Sequence, residues 1–520
     1  MDTPRWQSPF LGGHWTLKLI PIVGIIFLFL FLRGETASMY SETQTGFLAA
    51  LAGGIVQSGR NASVDLNWYA PKATAINNLT QVMGGSGVYG FIYNSSVTPA
   101  ERYGDYNWCN MPHVRATEYK RAPPEYSLQY VEVIHRHHKR TVYASNSFPV
   151  ESYGWDCGDE GLFYYGQPEN GKRSAPAYWE GYLSPQNPFK PSGFLGSCQF
   201  PQITAEGLED SWQHGKDLYE VYHDLLGFLP DDADEKVAFR VTQNVITSEV
   251  AGMVINGMFE TECEYPLAIQ PAGVDSLEPQ YPCPAGSAIS SAIRSGPTWT
   301  EHLTAASSLY AKLDDISGVS PTDSGFHASF DHYYDNLSAR QCHNKPLPCK
   351  LVNGVNSTAC VTQTTADEVY RLGNYEYSYT YRDDSRSLAA SVATYGVWAG
   401  ELMAHLRDAM KGTSDVIYRH NVAHDGSISR LLSMLQLDVM VWPGMGSEVV
   451  FELYKKESTA AARSAYFVRV LWKGQTLRSS NPSLGLMDMV PVETVLAYFD
   501  GLVGVDSSLV KGKCTGSIPV

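Results

Sequence analysis

The chain has 520 residues, of which 44% are hydrophobic and 18% are charged, as is typical of a globular protein. This length suits one large domain with an insertion, or two domains. The formal net charge of −16 is incompatible with a broad basic face, which argues against a nucleic acid as partner. A locally basic pocket in such an acidic protein would attract small anions instead.

The only long apolar run of the chain covers residues 19–32. It is shorter than the about 20 residues that a membrane-spanning helix needs and is typical of a signal-peptide core. The cleavage motif after it is poor, because Glu35 stands at a candidate −3 position. We therefore favour an uncleaved signal anchor, with residues 1–18 in the cytoplasm, over a cleaved signal peptide. We interpret residues 34–127, which are rich in Gly, Ser, Asn and Tyr, as a stalk and lead-in.

Both alternatives send the rest of the chain into the secretory pathway. An anchor predicts a single-pass membrane protein with a lumenal or extracellular domain, and cleavage predicts a secreted protein. All nine cysteines follow the apolar run, and most would pair in an oxidising compartment, with at least one left over. No Cys-x-x-Cys pair occurs, which argues against zinc. Five glycosylation sequons also follow the run: Asn61, Asn78, Asn94, Asn336 and Asn356.

The apolar stretch 130–134 predicts a buried or half-buried strand. It ends in six basic residues, 135–140, in which Arg136 and Arg140 bracket His137. Guanidinium groups bind phosphate oxygens in a fork geometry, and an imidazole held between them can act as a nucleophile. The alternative is a solvated basic turn, because charge runs usually face water.

Two further elements follow this stretch. Residues 205–229 place apolar side chains near helical spacing, and we interpret His214 and His223 on this helix as surface or capping residues. Residues 237–241 predict a second strand, which carries Arg240 and leads into another helical pattern.

The second half of the chain begins with a segment rich in cysteine and proline-containing turns, residues 260–385. We interpret it as an α-rich cap, after which a helix over 386–410 returns the chain to the main domain. A strand at 415–418 leads to His424 and Asp425, where an amphipathic helix starts, so capping that helix is an alternative role for Asp425. The last predicted elements are two hairpin strands and a helix: 449–453, 466–472 and 491–503.

Three stretches carry motifs in a fixed order. They are RHHKRTV at 136–142, QITAEG at 202–207 and NVAHD at 421–425, the last followed by a helix and by SEVVFELY at 447–454. Together they resemble the RHGxRxP signature, the QLTxxG helix entry and the distal HD motif of the histidine acid phosphatases. That family is the second branch of the histidine phosphatase superfamily, and the likeness is to its fungal acid phosphatase-like members. The resemblance covers about residue 128 to the C-terminus.

This resemblance implies an α/β fold with a central, mostly parallel sheet flanked by helices and an inserted α-rich cap. The main domain would comprise residues 128–259 and 386–520, and the cap residues 260–385. The implied partner is a phosphate monoester, hydrolysed through a phosphohistidine. No metal or other cofactor is implied, because arginines supply the positive charge.

The resemblance also implies the roles of six residues. His137 would be the nucleophile, and Asp425 the acid that protonates the leaving group. A carboxyl acid stays protonated most easily at low pH, which implies an acidic optimum. The phosphate would be bound by four side chains: Arg136, Arg140, His424 and Arg240.

Three departures from the family pattern weaken this interpretation. His138 replaces the motif glycine, Val142 replaces the motif proline, and Ile246 stands where a further phosphate-binding arginine is expected. A lost charged contact can cost on the order of 10²-fold in rate. We hypothesise that His135, His138 or Lys139 replaces the missing charge. The alternative function is a catalytically weakened phosphate- or phosphoglycan-binding protein on the same fold.

Overall fold

The computed structural model describes most of the chain from residue 64 onward. The described residues are 64–89, 106–151, 154–157, 163–166, 175–178, 181–182, 184–189, 196–260, 265–457 and 465–519. The predicted anchor or signal segment 19–32, the sequons Asn61 and Asn94, and Cys263 lie outside them. In the described ranges no helix is both long and apolar enough to cross a bilayer.

The strands and helices have the following bounds. The strands are β1 Tyr126–Arg136, β2 Phe163–Gly166, β3 Ala175–Tyr178, β4 Val237–Val241, β5 Leu267–Ile269, β6 Cys349–Val352, β7 Val355–Cys360, β8 Tyr418–Ala423, β9 Glu448–Lys456, β10 Tyr466–Trp472, β11 Gln475–Thr476 and β12 Val490–Pro491. The helices are α1 Leu79–Gly84, α2 Ala205–Tyr219, α3 Val245–Phe259, α4 Pro284–Ile293, α5 Pro297–Ala305, α6 Ser307–Ser317, α7 Asp331–Cys342, α8 Gln363–Ser378, α9 Ser387–Lys411, α10 Asp425–Met434, α11 Val492–Val503 and α12 Val510–Thr515.

One central sheet organises these elements. Its strands lie in the order β11-β10-β9-β1-β8-β4-β5, with β12 paired to β10. Strands β1, β8, β4 and β5 run parallel, whereas β9 pairs with β1 antiparallel and continues into β10. The predicted α/β fold with a mainly parallel central sheet flanked by helices is confirmed.

Strand β1 lies in the middle of this sheet because its side chains are apolar on both faces, as in strands of buried parallel sheets. Val131 and Val133 pack in the core that α2 and α3 cover. Tyr130 and Ile134 pack on the opposite face, in the larger core that includes α9, α10 and α11. The loop after β1 therefore begins at the carboxyl edge of a buried sheet, where ligands of α/β folds bind.

Several predicted bounds are confirmed and others need correction. Strand β4 and the β9–β10 hairpin lie where they were expected. The predicted strand 415–418 is displaced, because pairing with both β1 and β4 starts only at Tyr418. The predicted helix 205–229 is shorter, since α2 ends at Tyr219 and a wider π-helical turn continues to Leu225.

The described part of the predicted stalk is instead packed against the main domain, which corrects that interpretation. Tyr106 and Trp108 are fully buried in the larger core, and Val82 of α1 is buried with them. The Tyr69 backbone N–H donates to Gln436 Oε1 at 2.7 Å. Aromatic side chains that bury this much apolar surface stabilise a folded segment rather than a spacer.

Four disulfides connect the described cysteines: Cys109–Cys342, Cys157–Cys198, Cys283–Cys514 and Cys349–Cys360. Four such bridges are typical of a secreted or extracellular domain. Two of them, Cys109–Cys342 and Cys283–Cys514, join the region 260–385 to segments before and after it. That region contains α4 to α8 and the β6–β7 hairpin, and its bounds as a cap stay a prediction.

The three described sequons differ in exposure. Asn78 and Asn356 are exposed, and the Asn78 side chain also caps α1 by accepting from the Gln81 backbone N–H. Asn336 is only 2% exposed, and its Nδ2 atom donates to the Asn146 carbonyl at 2.9 Å. Because Nδ2 is the atom that carries an N-linked glycan, the burial of Asn336 argues against its predicted glycosylation in this fold.

Candidate active site

The candidate site lies where β1 and β8 end side by side. Since these strands are parallel neighbours, their carboxyl ends bring the 137–140 loop next to His424, the residue just before α10. A cavity of about 340 Å³ opens there between the sheet edge and the helices α7, α8 and α10. Its ionisable lining consists of three guanidiniums, two imidazoles, four carboxyls and two phenols: Arg136, Arg140, Arg430, His137, His424, Glu278, Asp331, Asp335, Asp425, Tyr143 and Tyr377.

His137 has the environment of a nucleophile. Its Nδ1 atom lies 2.9 Å from the His138 carbonyl oxygen. A carbonyl can only accept, so Nδ1 carries the proton and Nε2 keeps its lone pair. Burial first, and then Arg136, Arg140 and His424, hold the pKa of His137 well below its usual value. The imidazole is therefore neutral at physiological and mildly acidic pH, which is the form that attacks phosphorus.

Arg136 and Arg140 flank His137, and each is held in place by a carboxylate. Arg136 Nη2 lies 3.2 Å from Asp425 Oδ2, and its Nη1 donates to the Pro443 carbonyl at 2.6 Å. Arg140 Nη1 and Nη2 lie 3.3 and 3.1 Å from the two carboxylate oxygens of Asp335. This bidentate pairing fixes the plane of the Arg140 guanidinium before any ligand arrives.

Asp425 is the first residue of α10, where the helix dipole favours a negative charge. Its Oδ2 accepts from the Trp442 indole N–H at 2.8 Å, and its Oδ1 accepts from the Gly426 backbone N–H at 2.8 Å. Burial alone would raise the pKa of Asp425, but Arg136, Trp442, Arg140 and His424 together hold it below its usual value. The predicted helix-start position of Asp425 is confirmed, and the side chain lies in the cavity.

His424 faces His137 across the cavity, with ring centroids 5.4 Å apart. Its Nε2 atom lies 3.0 Å from Thr242 Oγ1 at the end of β4. Burial lowers the pKa of His424 to about 4, assisted by Arg136 and Arg140 and opposed by Asp425. A neutral imidazole at this place can donate one hydrogen bond to a bound phosphoryl group.

Arg240 does not reach the cavity, so its predicted phosphate-binding role is wrong for this arrangement. Its Nη1 lies 2.7 Å from Glu401 Oε2 on α9, and its Nη2 donates to Gln270 and Ser276 at 2.8 Å each. The guanidinium thus fixes β4 to α9. Ile246 is fully buried in the first turn of α3, in the core that α2 and α3 cover.

The neighbouring basic residues that we expected to replace the missing arginine do not line the cavity. Lys139 Nζ pairs with Asp210 at 3.0 Å, with both side chains 1% exposed. His135 and His138 are fully buried and contact the ring of His214 on α2, not the cavity. His214 is itself fully buried, which corrects its interpretation as a surface or capping residue.

Sequence reasoning missed four charged cavity residues: Arg430, Glu278, Asp331 and Asp335, the partner of Arg140. Arg430 follows Asp425 by little more than one turn of α10, and its Nη1 donates to the Gly426 carbonyl at 2.8 Å. The helical pattern after the HD motif could have predicted it. Glu278 and Asp331 come from the region 260–385 and have no motif around them. Burial, reinforced by nearby carboxylates, raises the pKa of each to about 7.

Comparisons with known proteins show which sequences and solved structures the chain resembles. No protein-family model matches the chain. The chain is 24% identical over 363 residues to counting factor 60 of Dictyostelium discoideum, which covers 67% of this chain and 80% of that protein. It is 27% identical over 161 residues to 2-phosphoxylose phosphatase 1 of Danio rerio, which covers 28% of this chain and 31% of that protein.

The solved structures that resemble the chain include two phosphatases. Klebsiella sp. ASR1 phytase has a TM-score of 0.45 and 14% identity, covering 74% of this chain and 97% of that one. Bifidobacterium longum multiple inositol polyphosphate phosphatase has a TM-score of 0.43 and 12% identity, covering 71% and 92%. The match to 2-phosphoxylose phosphatase 1 is consistent with the resemblance to histidine acid phosphatases. Likeness at this level does not transfer an activity or a substrate.

Proposed function

We propose that the protein is an acid phosphatase that hydrolyses phosphate monoesters through a phosphohistidine. The observation that supports this most is the placement of His137 between Arg136 and Arg140, facing His424 and beside Asp425, in one half-enclosed cavity. These groups supply a nucleophile, positive charge for the phosphoryl oxygens and a proton donor. No step of this chemistry requires a metal, because guanidiniums stabilise the developing charge.

In the first step, the Nε2 lone pair of His137 attacks phosphorus and the bond to the leaving oxygen breaks. Asp425 transfers its proton to that oxygen. In the second step, water attacks the phosphohistidine, the P–N bond breaks and His137 becomes free again. Asp425 takes a proton from that water and is ready for the next cycle.

The Arg136–Asp425 pair makes this cycle depend on the substrate. In the free protein, Arg136 keeps Asp425 ionised. A bound phosphate places its own negative charge against Arg136, which removes part of the stabilisation of the Asp425 carboxylate. The pKa of Asp425 then rises, so the proton is taken up when the substrate is in place and more readily in acid.

The charges of the cavity favour a substrate with one phosphoryl group. Three guanidiniums face four carboxyls, and two of those carboxyls, Glu278 and Asp331, have a pKa of about 7. Such a lining can neutralise one phosphate and offer hydrogen bonds to the rest of the molecule. A polyanion would meet added repulsion from Asp335 and Asp425. The name of one relative, 2-phosphoxylose phosphatase 1, makes a phosphorylated sugar one candidate substrate.

A generic aryl phosphate tests the proposal. The protein, produced in a secreting host and assayed from pH 3 to 8, should hydrolyse this substrate with an optimum on the acidic side of that range. His137→Ala should lower kcat by about 10³-fold or more, because the nucleophile is lost. The matched control is His223→Ala, an exposed histidine of the π-helical turn, which should keep full activity. Alkaline quenching during turnover of ³²P-labelled substrate preserves the P–N bond, which acid would hydrolyse, and should trap phosphate on the protein but not on His137→Ala.

A second candidate function is phosphate or phosphoglycan binding with little turnover. It is favoured by the loss of the third family arginine, since Ile246 is buried in the core. In that case the folded protein would bind inorganic phosphate in calorimetry, and His137→Ala would bind equally well. Neither protein would then release phosphate from the aryl ester, which would contradict the enzymatic proposal.

We further propose that the protein reaches the secretory pathway. The four disulfides support an oxidising compartment. The segment 19–32 would act either as a single-pass anchor or as a cleaved signal. Alkaline extraction of membranes from expressing cells separates these two, because only an anchored protein stays in the pellet.

A further inference from the structure

Three imidazoles meet in the closed space between the central sheet and α2. His135 lies at the end of β1, His138 in the loop behind the nucleophile, and His214 on α2; all three side chains are fully buried. One ring nitrogen from each lies within 4.8 Å of the other two. The closest pair is His138 Nε2 and His214 Nδ1, at 3.0 Å.

Two of the three rings have their protons fixed by acceptors on the far side. His135 Nδ1 lies 2.8 Å from the Arg136 carbonyl oxygen, and His214 Nε2 lies 3.0 Å from Glu448 Oε2. Both acceptors require an N–H, so the lone pairs stay on His135 Nε2 and His214 Nδ1. His135 Nε2 is buried and has no hydrogen-bond partner among the described residues.

This arrangement is the one found around metal-bound histidines. A ligating imidazole almost always donates its other ring N–H to a carboxylate or a backbone carbonyl, which orients the ring and fixes its tautomer. Here Glu448 is the acceptor for His214, and the Arg136 carbonyl is the acceptor for His135.

We propose that His135, His138 and His214 bind one divalent transition-metal ion, with Zn²⁺ as the reference ion. Three imidazoles suit zinc, copper, nickel or iron, but not magnesium or calcium, which prefer oxygen ligands. Zinc–nitrogen bonds of about 2.0–2.1 Å separate tetrahedral ligands by about 3.3 Å. The His138–His214 pair already has nearly this spacing, whereas the His135 nitrogen, within 4.8 Å of both, would move closer on binding. His420 is a further imidazole beside the cluster. Its ring centroid lies 4.8 Å from that of His135, and its Nε2 has no hydrogen-bond partner within the described ranges.

The backbone at Gly446 approaches the His138 ring closely. Gly446 has a φ of +68°, and a Cβ there would lie 2.3 Å from His138 Cε1. Residue 446, in the loop before β9, therefore has to be glycine for the His138 ring to keep its place in the cluster. Because the His138 carbonyl accepts from His137 Nδ1, an ion that holds His138 would also fix the orientation of the nucleophile. His138 would thus be a positioning residue for His137.

The metal content of the purified protein tests the proposal directly. The full-length protein should be produced in a secreting host in zinc-supplemented and in zinc-depleted medium, and its metals measured by mass spectrometry. We expect one transition-metal ion per chain in the first preparation and a higher Tm than in the second, because a site buried this deeply loads during folding. Addition of Zn²⁺ alone during oxidative refolding should restore both the metal and the Tm.

Variants locate the ion. His214→Gln should remove it, whereas His113→Gln should keep it, since His113 stacks on His214 at 4.2 Å but bonds Asp217 instead. If His214→Gln fails to fold, the wild-type preparations decide alone. Absence of stoichiometric metal with equal Tm values in both media would overturn the proposal, as would a metal content that His214→Gln leaves unchanged. The cluster would then be a hydrogen-bonded chain of imidazoles from Glu448 to His138.

Discussion

One short segment, 135–140, supplies two regions of opposite character. Arg136 and His137 lie in the cavity, which is half open and lined by carboxylates. His135 and His138 lie behind the loop, in a closed cluster of further imidazoles. Histidine pKa values are low in both regions, but for different reasons beyond burial: in the cavity guanidiniums lower them, and in the cluster mainly neighbouring imidazoles do.

This comparison shows that exposure and neighbours, rather than residue type, decide what a histidine can do. His137 has space in front of Nε2 for a phosphoryl group and cations on both sides. His135 Nε2 also has no hydrogen-bond partner among the described residues, but its ring lies among the rings of His138, His214 and His420. The first environment suits attack on an electrophile, and the second suits the binding of a cation or a fixed hydrogen-bond chain.

The largest effect is expected on kcat when the proton donor of the cavity is removed. Asp425→Asn should lower kcat on an alkyl phosphate by about 10³-fold, because the leaving alkoxide then has no proton donor. An aryl phosphate with an acidic phenol needs little protonation and should lose far less. An equal loss on both substrates would instead show that Asp425 acts mainly by holding Arg136.

An arginine at position 246, where the histidine acid phosphatase motif has one, tests whether the core that α2 and α3 cover can accept a cation. Ile246→Arg should lower the free energy of unfolding by about 3–5 kcal/mol without raising kcat/KM, because it buries an unpaired charge. Denaturant melts measure the change. Ile246→Leu, the volume-matched control, should cost less than about 1.5 kcal/mol. A gain in kcat/KM for the arginine variant would show that the side chain reaches the cavity after all.

A smaller effect concerns the pH dependence of stability on the cavity side. The pKa of Asp331 is raised by burial and by Asp335 to about 7 in the folded protein, so its ionisation destabilises the fold increasingly as pH rises from about 4 to 7. Asp331→Asn should therefore raise the free energy of unfolding by up to about 4 kcal/mol at pH 8 and leave it unchanged near pH 4. Thermal melts of the variant, the wild type and the exposed control Asp232→Asn measure the difference. A benefit at pH 4 would contradict the assigned pKa.

The smallest effect concerns glycan occupancy, which should differ between exposed and buried sequons. Asn78 and Asn356 should carry glycans, and the buried Asn336 should not. Peptide mass spectrometry after enzymatic deglycosylation in H₂¹⁸O distinguishes the three. Asn356→Gln should change stability by no more than about 0.5 kcal/mol, as for other surface substitutions. Occupancy at Asn336 would require the local packing to differ.

The sequence predicted the elements that local patterns determine. The apolar run before the basic cluster, the helix that starts at Asp425 and the β9–β10 hairpin are all present, because periodicity and motif order report local structure. Sequence analysis failed for residues whose position depends on contacts with residues distant in sequence. Arg240 matches a motif, but its side chain pairs with Glu401 on α9, and no local pattern indicates that partner.

The same reason explains the missed and misinterpreted residues. Glu278 and Asp331 enter the cavity from a region without motifs. His135 and His138 were counted with the basic cluster, although strand alternation and the close approach of Gly446 direct them away from the cavity. The long N-terminal segment lacked periodic runs, yet Trp108 and Tyr106 pack into the core through contacts with residues more than 200 positions away.

The central position of β1 has a consequence for biosynthesis. Both of its neighbours come late: β8 starts at Tyr418 and β9 ends at Lys456. At about 5–20 residues per second, translation takes about 15 to 60 s to deliver β9 after β1 has been made. During this interval the nascent chain presents an apolar strand with two unpaired edges, which is a template for aggregation. Production of the protein should therefore depend on chaperones that hold β1 during translation, and a host that elongates faster should give a better yield of folded protein.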